Sequence, residues 1–436
     1  MLSAGNSIPL RKFLRVAGVA AFWIGSCPIV TQAAPAADAE PDSSAFAPFD
    51  REVEAFMQAR KVPGGALAVV KDRRLVYARG YGWADREAKE PARPDSLFRI
   101  ASISKPITAV TVLKLAEAGK LDLDRPAFDI VRLDPFKSSG IQFDSRLQQI
   151  TVRQLLHHTG GWDRDQSYDP MFMAIEIANA LKVPPPAGPR EVIRFMLGHR
   201  LDFDPGTRYA YSNFGYCVLG RVIEAVAGQA YDEHVRRETL APIGIHRMRI
   251  GASLFAKRGS DEVRYYTTDD AKGRSVFPGT ASKVPWPYGG FHLEAMDAHG
   301  GWLASAVALA RFASALDNVE HSPLLAAAGM RTMYEPPPPP VCRDDKGALL
   351  ATFYGCGWSV RPVGQAGKAN YWHSGSLPGT ASLLVRRWDG LSWAVLFNQR
   401  SEDSKLPDMA IDLAMHRAAA EVAHWPDFDL FGRYSV

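Results

Sequence analysis

Three short polar motifs stand out along the chain because their side chains could together carry out acyl transfer. In chain order they are Ser102-Ile103-Ser104-Lys105, Tyr211-Ser212-Asn213 and His373-Ser374-Gly375. A serine hydroxyl is a weak nucleophile at its free pKa and needs an adjacent base. On a helix, Lys105 lies one turn after Ser102 on the same face, within reach of the hydroxyl. This spacing predicts Ser102 as a nucleophile and Lys105 as its base.

The second motif supplies partners for this pair. Burial can lower the pKa of a lysine enough for the amine to accept a proton, alone or together with a tyrosine. We expect Tyr211 to exchange a proton with the leaving group and Asn213 to orient Lys105 and the substrate. A predicted helix start at Ser102 also places backbone N–H groups where negative charge would develop.

Each motif alone has an ordinary structural explanation. At average residue frequencies a Ser-x-x-Lys pattern occurs about once by chance in a chain of this length, and Ser102 alone could be a helix N-cap. Tyr211 and Asn213 alone would be turn residues, and His373 alone would be a hydrogen-bonded structural histidine. The ordered set, with each member at a predicted element boundary, favours a catalytic site.

In these motifs and their order the chain resembles the serine β-lactamases and penicillin-binding proteins. The resemblance is to the class C β-lactamase-like branch, which also contains esterases, D-aminopeptidases and D,D-peptidases. It covers roughly residues 49–420, and the stretches 151–161 and 300–305 are similar to segments common in that branch. It implies an acylated serine at position 102 with Lys105 and Tyr211 as the proton-transfer pair.

The resemblance also implies the residues that hold the substrate. Asn213 would be the polar orienter, and His373, Gly375 and Ser376 would form the substrate-binding edge. The backbone N–H groups of Ser102 and Ser376 would form the oxyanion hole. No cofactor is implied.

The third motif departs from the family pattern. It is His-Ser-Gly, where β-lactamases and most D,D-peptidases have Lys-Thr-Gly or a close variant. An unperturbed histidine has a pKa near ~6.5 and is mostly neutral at pH 7, whereas lysine is a permanent cation for a substrate carboxylate. His373 therefore predicts a preference for esters or neutral amides over β-lactams. Neither a class A Glu-x-x-Leu-Asn segment nor a Gly-x-Ser-x-Gly nucleophile elbow is found.

Three functional hypotheses follow. The first is a hydrolase that cleaves an ester or amide through an acyl-enzyme on Ser102, and the second is a D,D-peptidase or true β-lactamase. The third is a catalytically silent protein that binds peptidoglycan or a partner protein. The presence of all four polar catalytic residues (Ser102, Lys105, Tyr211 and Asn213) argues against this third hypothesis. The net charge of +4 over 436 residues, without a long basic run, does not imply a nucleic-acid partner.

Other polar and aromatic residues have weaker signals. His292, Glu294 and His299 lack the spacing of a zinc site, so we expect loop or core residues and no metal. Trp162, Trp286 and Tyr288 lie in predicted loops that could border the cleft or serve packing alone.

The elements that must position the motifs follow from hydrophobic periodicity. Helices are predicted from residue 49 to the Pro63-Gly64 break and over 102–118, 151–157, 214–227, 303–316 and 406–422. Strands are predicted over 66–70, 75–78, 357–363, 369–372, 381–387 and 391–397.

Strands therefore lie near both ends of the chain and helices fill the middle. An isolated hairpin is only marginally stable, so the two ends must meet in one sheet. Together with the resemblance, this predicts an α/β (α+β) fold over residues 49–425. An antiparallel sheet flanked by helices would use about 49–97 and 300–425, and an inserted, mainly helical domain would use about 98–299, with the site between them.

The N-terminus has the pattern of an export signal. A basic stretch with Arg11, Lys12 and Arg15 precedes a short apolar run, and small residues lead to a cleavage site near Ala33. The run is too short to span a membrane. We predict a signal peptide over 1–33, a linker over 34–48 and a periplasmic or secreted protein. A buried N-terminal helix is the alternative.

The cysteines leave two further expectations. Cys27 lies in a sequence that resembles a lipoprotein box, so a lipid anchor is an alternative to plain cleavage. In an oxidising compartment we predict that Cys342 and Cys356 form a disulfide, with three inert buried thiols as the alternative. Cys217 lies on an apolar helical face and is expected in the core.

Overall fold

The computed structural model describes residues 43–136, 143–364 and 367–436. The strands of these residues are β1 (Gly64–Lys71), β2 (Arg74–Asp85), β3 (Glu90–Pro91), β4 (Phe98–Arg99), β5 (Arg249–Ile250), β6 (Lys272–Arg274), β7 (Lys283–Pro285), β8 (Trp302–Ala304), β9 (Phe353–Tyr354), β10 (Ser359–Pro362), β11 (Ala369–Leu377), β12 (Thr380–Arg386) and β13 (Leu391–Phe397). The α-helices are α1 (Ala47–Arg60), α2 (Ser104–Glu117), α3 (Ala127–Ile130), α4 (Val152–Leu156), α5 (Ala174–Leu181), α6 (Pro189–Met196), α7 (Asn213–Ala227), α8 (Tyr231–Val235), α9 (Asp297–Gly300), α10 (Ala306–Ser314), α11 (Ala327–Tyr334) and α12 (Ala410–Glu421).

Eight strands form one antiparallel sheet in the order β3-β2-β1-β13-β12-β11-β10-β9. The two ends of the chain meet at its centre, where β1 pairs with β13 and Gly65 lies opposite Phe397. Every residue of β12 and β13 is buried, as expected for strands covered on both faces. The prediction of an antiparallel sheet built from both chain ends and flanked by helices is confirmed.

Helices cover the two faces of this sheet with separate cores. On one face, Phe49 of α1 and Met415 of α12 pack against Val69 and Trp393. On the other face, Ala66 and Ala394 join the larger core of α10 and the helical middle. This larger core contains α2, whose first turn carries Lys105.

Local sequence signals fix several helix ends. Thr151 caps α4, accepting a hydrogen bond from the Gln154 N–H, while the Gln154 side chain accepts one from the Thr151 N–H. Gly228 ends α7 at a φ of 68°, a left-handed conformation that glycine adopts without strain. The helix ends that were predicted at these two positions are confirmed.

Several predicted boundaries need correction, and three of them bear on the site or on the elements beside it. A 3-10 turn, Ala101–Ile103, precedes α2, so Ser102 lies just before the helix rather than within it. Residues 302–304 form β8, which is paired with β4 and β5, and the helix predicted from residue 303 begins only at Ala306. The strand predicted to end before His373 continues to Leu377, because pairing with β12 extends along the whole motif.

The predicted linker and the predicted end of the domain also differ from the structure. Phe46 is buried and its ring stacks on Tyr77 at 4.7 Å between centroids, so the last residues of the segment 34–48 are folded. Beyond residue 425, Phe431 and Val436 are buried as well. The signal peptide and Cys27 lie outside the described residues. Within the ranges that the structure describes, no helix is both long and apolar enough to cross a membrane.

The predicted Cys342–Cys356 disulfide is wrong in this structure, where both residues are free thiols. Cys356 is buried, with its Sγ 3.7 Å from His157 Nε2 and 3.6 Å from the Thr332 carbonyl oxygen. Cys342 and Cys356 are therefore close in sequence but do not form a disulfide. Cys217 is fully buried on α7, as predicted.

Candidate active site

Ser102 and Lys105 lie together where α2 begins. The Lys105 side chain is fully buried. Its Nζ lies 3.0 Å from Ser102 Oγ, 2.8 Å from Asn213 Oδ1 and 3.0 Å from the His299 carbonyl oxygen. The structure thus joins the first two motifs around one amine.

The backbone before the nucleophile is held in an unusual conformation. Ala101 has a φ of 46°, which costs a residue with a side chain on the order of 1–3 kcal/mol. Neighbouring elements hold this turn, because Ser104 Oγ donates to the Ala101 carbonyl and Ser382 Oγ of β12 donates to the Ile100 carbonyl. The turn presents Ser102 from a backbone fixed on two sides.

The burial of Lys105 favours the neutral form of its amine. Removal from water lowers the pKa of this amine well below its ordinary value, Asp169 raises it and Arg164 lowers it further. A neutral amine has two hydrogens and one lone pair. Asn213 Oδ1 and the His299 carbonyl can accept both hydrogens, which leaves the lone pair for the Ser102 hydroxyl. The arrangement can therefore take a proton from Ser102.

Tyr211 precedes α7, and the centre of its ring lies 4.7 Å from Lys105 Nζ. Burial raises the pKa of Tyr211 above its ordinary value, while a hydrogen bond with Ser102 and the charge of Arg164 act in the opposite direction. Tyr211 is therefore a neutral phenol at pH 7. It is suited to donating or relaying a proton, and Lys105 is the stronger candidate for the base because burial favours its neutral form.

Asp169 is a member of the site that the sequence analysis missed. Its Oδ2 accepts a hydrogen bond of 2.6 Å from Asn213 Nδ2. A carboxylate only accepts, so this bond fixes the Asn213 amide with Oδ1 towards Lys105. Asp169 also accepts the Met171 N–H at 3.1 Å, which holds the carboxylate in place. It lies 44 positions from Asn213, and no motif spacing points to it.

We predict that Asp169→Ala lowers kcat/KM about ten- to a hundredfold, the cost of one hydrogen bond to a charged group. Asp169→Asn should retain more activity, because its amide oxygen can still accept from Asn213. Both variants remove the charge that raises the pKa of Lys105. The pKa of Lys105 should therefore be lower in both variants than in the parent. The increase in kcat/KM that accompanies loss of the Lys105 proton should then occur at a lower pH. A pH–rate profile that stays unchanged in both would contradict this role.

The third motif lies on β11, with His373 buried beside Tyr354. His373 Nδ1 lies 2.6 Å from the Ser374 carbonyl oxygen and Nε2 lies 2.9 Å from the Tyr354 hydroxyl. A carbonyl only accepts, so Nδ1 carries the proton and Nε2 accepts from Tyr354. Burial, followed by the charge of Lys105, lowers the pKa of His373 to about 3. At pH 7 this histidine thus offers a substrate neither a charge nor a free ring N–H.

Gly375 brings β11 against the turn of the nucleophile. A Cβ at this position would lie 2.1 Å from the Ile100 carbonyl oxygen, so a larger residue would push the strand away. Ser376 is exposed and lines the opposite face of the sheet with Met409. Only its backbone can therefore act at the site, and its role in an oxyanion hole stays a prediction.

Buried imidazoles surround the pair without adding charge. His158 has its ring 4.4 Å from Tyr211 and 4.6 Å from Tyr354, and its Nδ1 accepts the Ser212 N–H. Burial, with Lys105 as the next cause, lowers the pKa of both His158 and His299 well below 6.5. These histidines stay neutral, so they do not repel a proton arriving at Lys105.

The remaining sequence candidates lie in several environments. His299 reaches the site through its backbone, whereas His292 and Glu294 contact Ala187 and Ser253. Among residues 43–136, 143–364 and 367–436, no group of three metal-ligating side chains is arranged to hold an ion. The aromatic candidates divide as follows: Trp162 packs on Phe214, Tyr288 is buried, and Trp286 is exposed.

The family of the chain follows from its sequence as well as from this geometry. The profile of the Beta-lactamase family matches residues 49–416, and the chain belongs to this family. The large antiparallel sheet flanked by helices is the fold of its structural neighbours. The predicted kinship with the serine β-lactamases and penicillin-binding proteins is confirmed.

Particular relatives include a penicillin-binding protein and two hydrolases. Penicillin-binding protein 4* of Bacillus subtilis (strain 168) is 24% identical over 363 residues, which are 81% of this chain and 71% of that protein. The D-amino acid amidase of Ochrobactrum anthropi SV3 has a TM-score of 0.62 at 22% identity, covering 86% and 98% of the two chains. EstCE1, a hydrolase with promiscuous acyltransferase activity, has a TM-score of 0.64 at 18% identity, covering 86% and 99%. The two structures share the fold, and the family and its relatives indicate a hydrolase.

Proposed function

We propose that this protein is an exported serine hydrolase that cleaves an ester or amide bond through an acyl-enzyme on Ser102. The observation that carries the proposal is the environment of Lys105. Its buried Nζ has two carbonyl-type acceptors and the Ser102 hydroxyl as its three partners. This is the arrangement in which a neutral lysine can act as a base.

In the acylation step, Ser102 Oγ attacks the substrate carbonyl carbon while its proton moves to Lys105. The new C–O bond produces a tetrahedral oxyanion, for which we propose the N–H groups of Ser102 and Ser376 as donors. As the intermediate collapses, Tyr211 protonates the leaving oxygen or nitrogen and recovers a proton from Lys105. Water then repeats the sequence at the ester of Ser102, releasing the acid and restoring the hydroxyl.

The proposed substrate is a small molecule or peptide-like compound with an ester or amide bond, and it needs no cation on β11. The neutral, doubly hydrogen-bonded His373 supports this choice over β-lactams. A D-amino acid amidase and a hydrolase with acyltransferase activity share the fold. A D,D-peptidase or true β-lactamase is the second candidate, supported by the relationship to a penicillin-binding protein.

The test is a comparison of kcat/KM for a short-chain p-nitrophenyl ester, a D-amino-acid amide and a chromogenic cephalosporin. We expect the ester or the amide to be the better substrate of the parent protein. His373→Lys should raise the cephalosporin-to-ester ratio about ten- to a hundredfold, because one charge-assisted hydrogen bond becomes available. The new lysine can also change the pKa of Lys105. Because this change affects both reactions alike, it cancels in the cephalosporin-to-ester ratio of kcat/KM.

Three outcomes would contradict the proposed function or its substrate class. If the parent hydrolyses the cephalosporin best, or if His373→Lys leaves the ratio unchanged, the argument from the third motif fails. If no substrate is turned over and no active-site probe labels Ser102, the silent binding protein is favoured.

Export is proposed from the N-terminal sequence pattern.

A further inference from the structure

A short loop, residues 163–167, holds an arginine against the proposed proton donor. The guanidinium carbon of Arg164 lies 4.7 Å from the centre of the Tyr211 ring. The loop is anchored on both sides of this contact. The Asp163 carboxylate pairs with Arg208 at 2.7 Å and accepts the Asp165 N–H, while the Asp163 N–H donates to Asp202. These contacts therefore fix the backbone of the loop on either side of Arg164.

The guanidinium of Arg164 has unused hydrogen-bonding capacity. Its side chain is 40% exposed, and its ion-pair partner Asp165 lies 3.7 Å away with 88% exposure. Among the residues that the structure describes, none accepts a hydrogen bond from Arg164. Such a group has five N–H donors in a planar fork that matches a carboxylate.

Arg164 also differs from the other potential cations around the nucleophile. Lys105 is fully buried, with three partners already. The ring nitrogens of His373 are both occupied and its pKa is low. Only Arg164 and Lys105 have a basic group over the Tyr211 ring within the described part of the chain. Arg164 is the one of this pair that reaches solvent.

We propose that Arg164 binds a carboxylate of the substrate, so that the natural substrate is an anionic ester or amide with its negative charge beside Tyr211. The inference rests on the proposed function, because it places this charge relative to the bond that Ser102 would cleave. It is compatible with a neutral His373, since the cation lies on the 163–167 loop and not on β11. A substrate whose carboxylate lies next to β11 would form no ion pair with Arg164.

The test compares pairs of esters matched in size. One pair is p-nitrophenyl valerate and the p-nitrophenyl monoester of glutaric acid, which differ in acyl charge. The other is 4-carboxyphenyl acetate and its methyl ester, which differ in the charge of the leaving group. We expect the parent to prefer the anionic member of at least one pair. In Arg164→Gln the anionic-to-neutral ratio of kcat/KM for that pair should fall about ten- to a hundredfold.

Two variants control this comparison. Arg164→Lys keeps the charge but loses the fork, so its ratio should be intermediate. Arg200→Gln removes the same charge from an exposed position and should leave the ratio as in the parent. Added salt should reduce the preference in the parent and in Arg200→Gln but not in Arg164→Gln. Equal ratios in the parent and Arg164→Gln for both pairs would overturn the proposal.

A binding measurement separates this inference from the proposed function. Glutarate binding to Ser102→Ala, measured by calorimetry, requires no turnover. We expect adding Arg164→Gln to weaken binding about tenfold or more, and adding Arg200→Gln to have no effect. Equal binding in all three proteins would exclude the carboxylate site even if ester hydrolysis is established. Loss of binding with Arg164→Gln would support the site even if Ser102 proves not to be the nucleophile.

Discussion

Replacing Ser102 with alanine is expected to lower kcat/KM about 10⁴-fold or more, as removal of an acylated nucleophile does in other serine hydrolases. The protein should stay folded, because the change removes one oxygen from a half-buried turn. Lys105 keeps Asn213 and the His299 carbonyl as partners. The unfolding midpoint should therefore change little.

Intact-protein mass spectrometry with a fluorophosphonate probe is the direct measurement. The parent should carry one adduct and Ser102→Ala none. Ser104→Ala is the matched control from the same motif, since it also removes one hydroxyl, with its hydrogen bond to the Ala101 carbonyl, but keeps the Ser102 hydroxyl and its contact with Lys105. It should still be labelled. An adduct that persists in Ser102→Ala would remove Ser102 as the nucleophile.

Lys105→Ala and Tyr211→Phe are each expected to lower kcat/KM by about two orders of magnitude or more, the usual contribution of one positioned acid or base. The double variant should be little worse than the worse single variant. Residues that act as one proton-transfer unit are strongly non-additive. Lys105 and Tyr211 both form a hydrogen bond with Ser102, so the pair can form such a unit.

The measurement is kcat/KM for one ester in the parent, both single variants and the double variant across a range of pH. The rise in rate as Lys105 loses its proton should be present in the parent and absent from Lys105→Ala. Losses that add cleanly would show that the two residues do not share a step. Thermal unfolding of each variant controls for the two carbonyl oxygens that Lys105→Ala leaves without a donor.

Parts of the fold were predictable where local chemistry decides the structure. The predicted strand 391–397 coincides with β13, because it is an apolar run, interrupted only by Ser392, between turn residues. The capping box of Thr151 and the left-handed Gly228 mark their helix ends in the sequence. That the two chain ends meet in one sheet followed from the argument that an isolated hairpin would be only marginally stable, whereas the pairing of β1 with β13 is visible only in the structure.

Other parts depend on partners that are distant in sequence. Residues 302–304 form a strand only because β4 and β5 lie on either side. β11 continues through Gly375, which has low strand propensity, because β12 pairs with it residue by residue.

The site shows the same division. Spacing within the motifs pointed to Ser102, Lys105, Tyr211 and Asn213, which the structure brings together. Asp169, Tyr354 and Arg164 contact them through tertiary packing alone, and each lies in a stretch without a recognisable pattern. Sequence predicted a neutral His373, but its hydrogen bond with Tyr354 is visible only in three dimensions.

The pairing of β1 with β13 also has a consequence for the order in which the chain can fold. Roughly 320 residues separate the end of β1 from the start of β13, and synthesis at about 5–20 residues per second needs about 15 to 60 s to cover them. Until then one edge of β1 is unpaired, and an unpaired strand edge that is apolar apart from Lys71 invites aggregation. The backbone turn that carries Ser102 likewise packs against Gly375 of β11, so it is complete only after β11 has been made. No growing chain can therefore be active before β13 has been made, and the centre of the sheet can close only after that point.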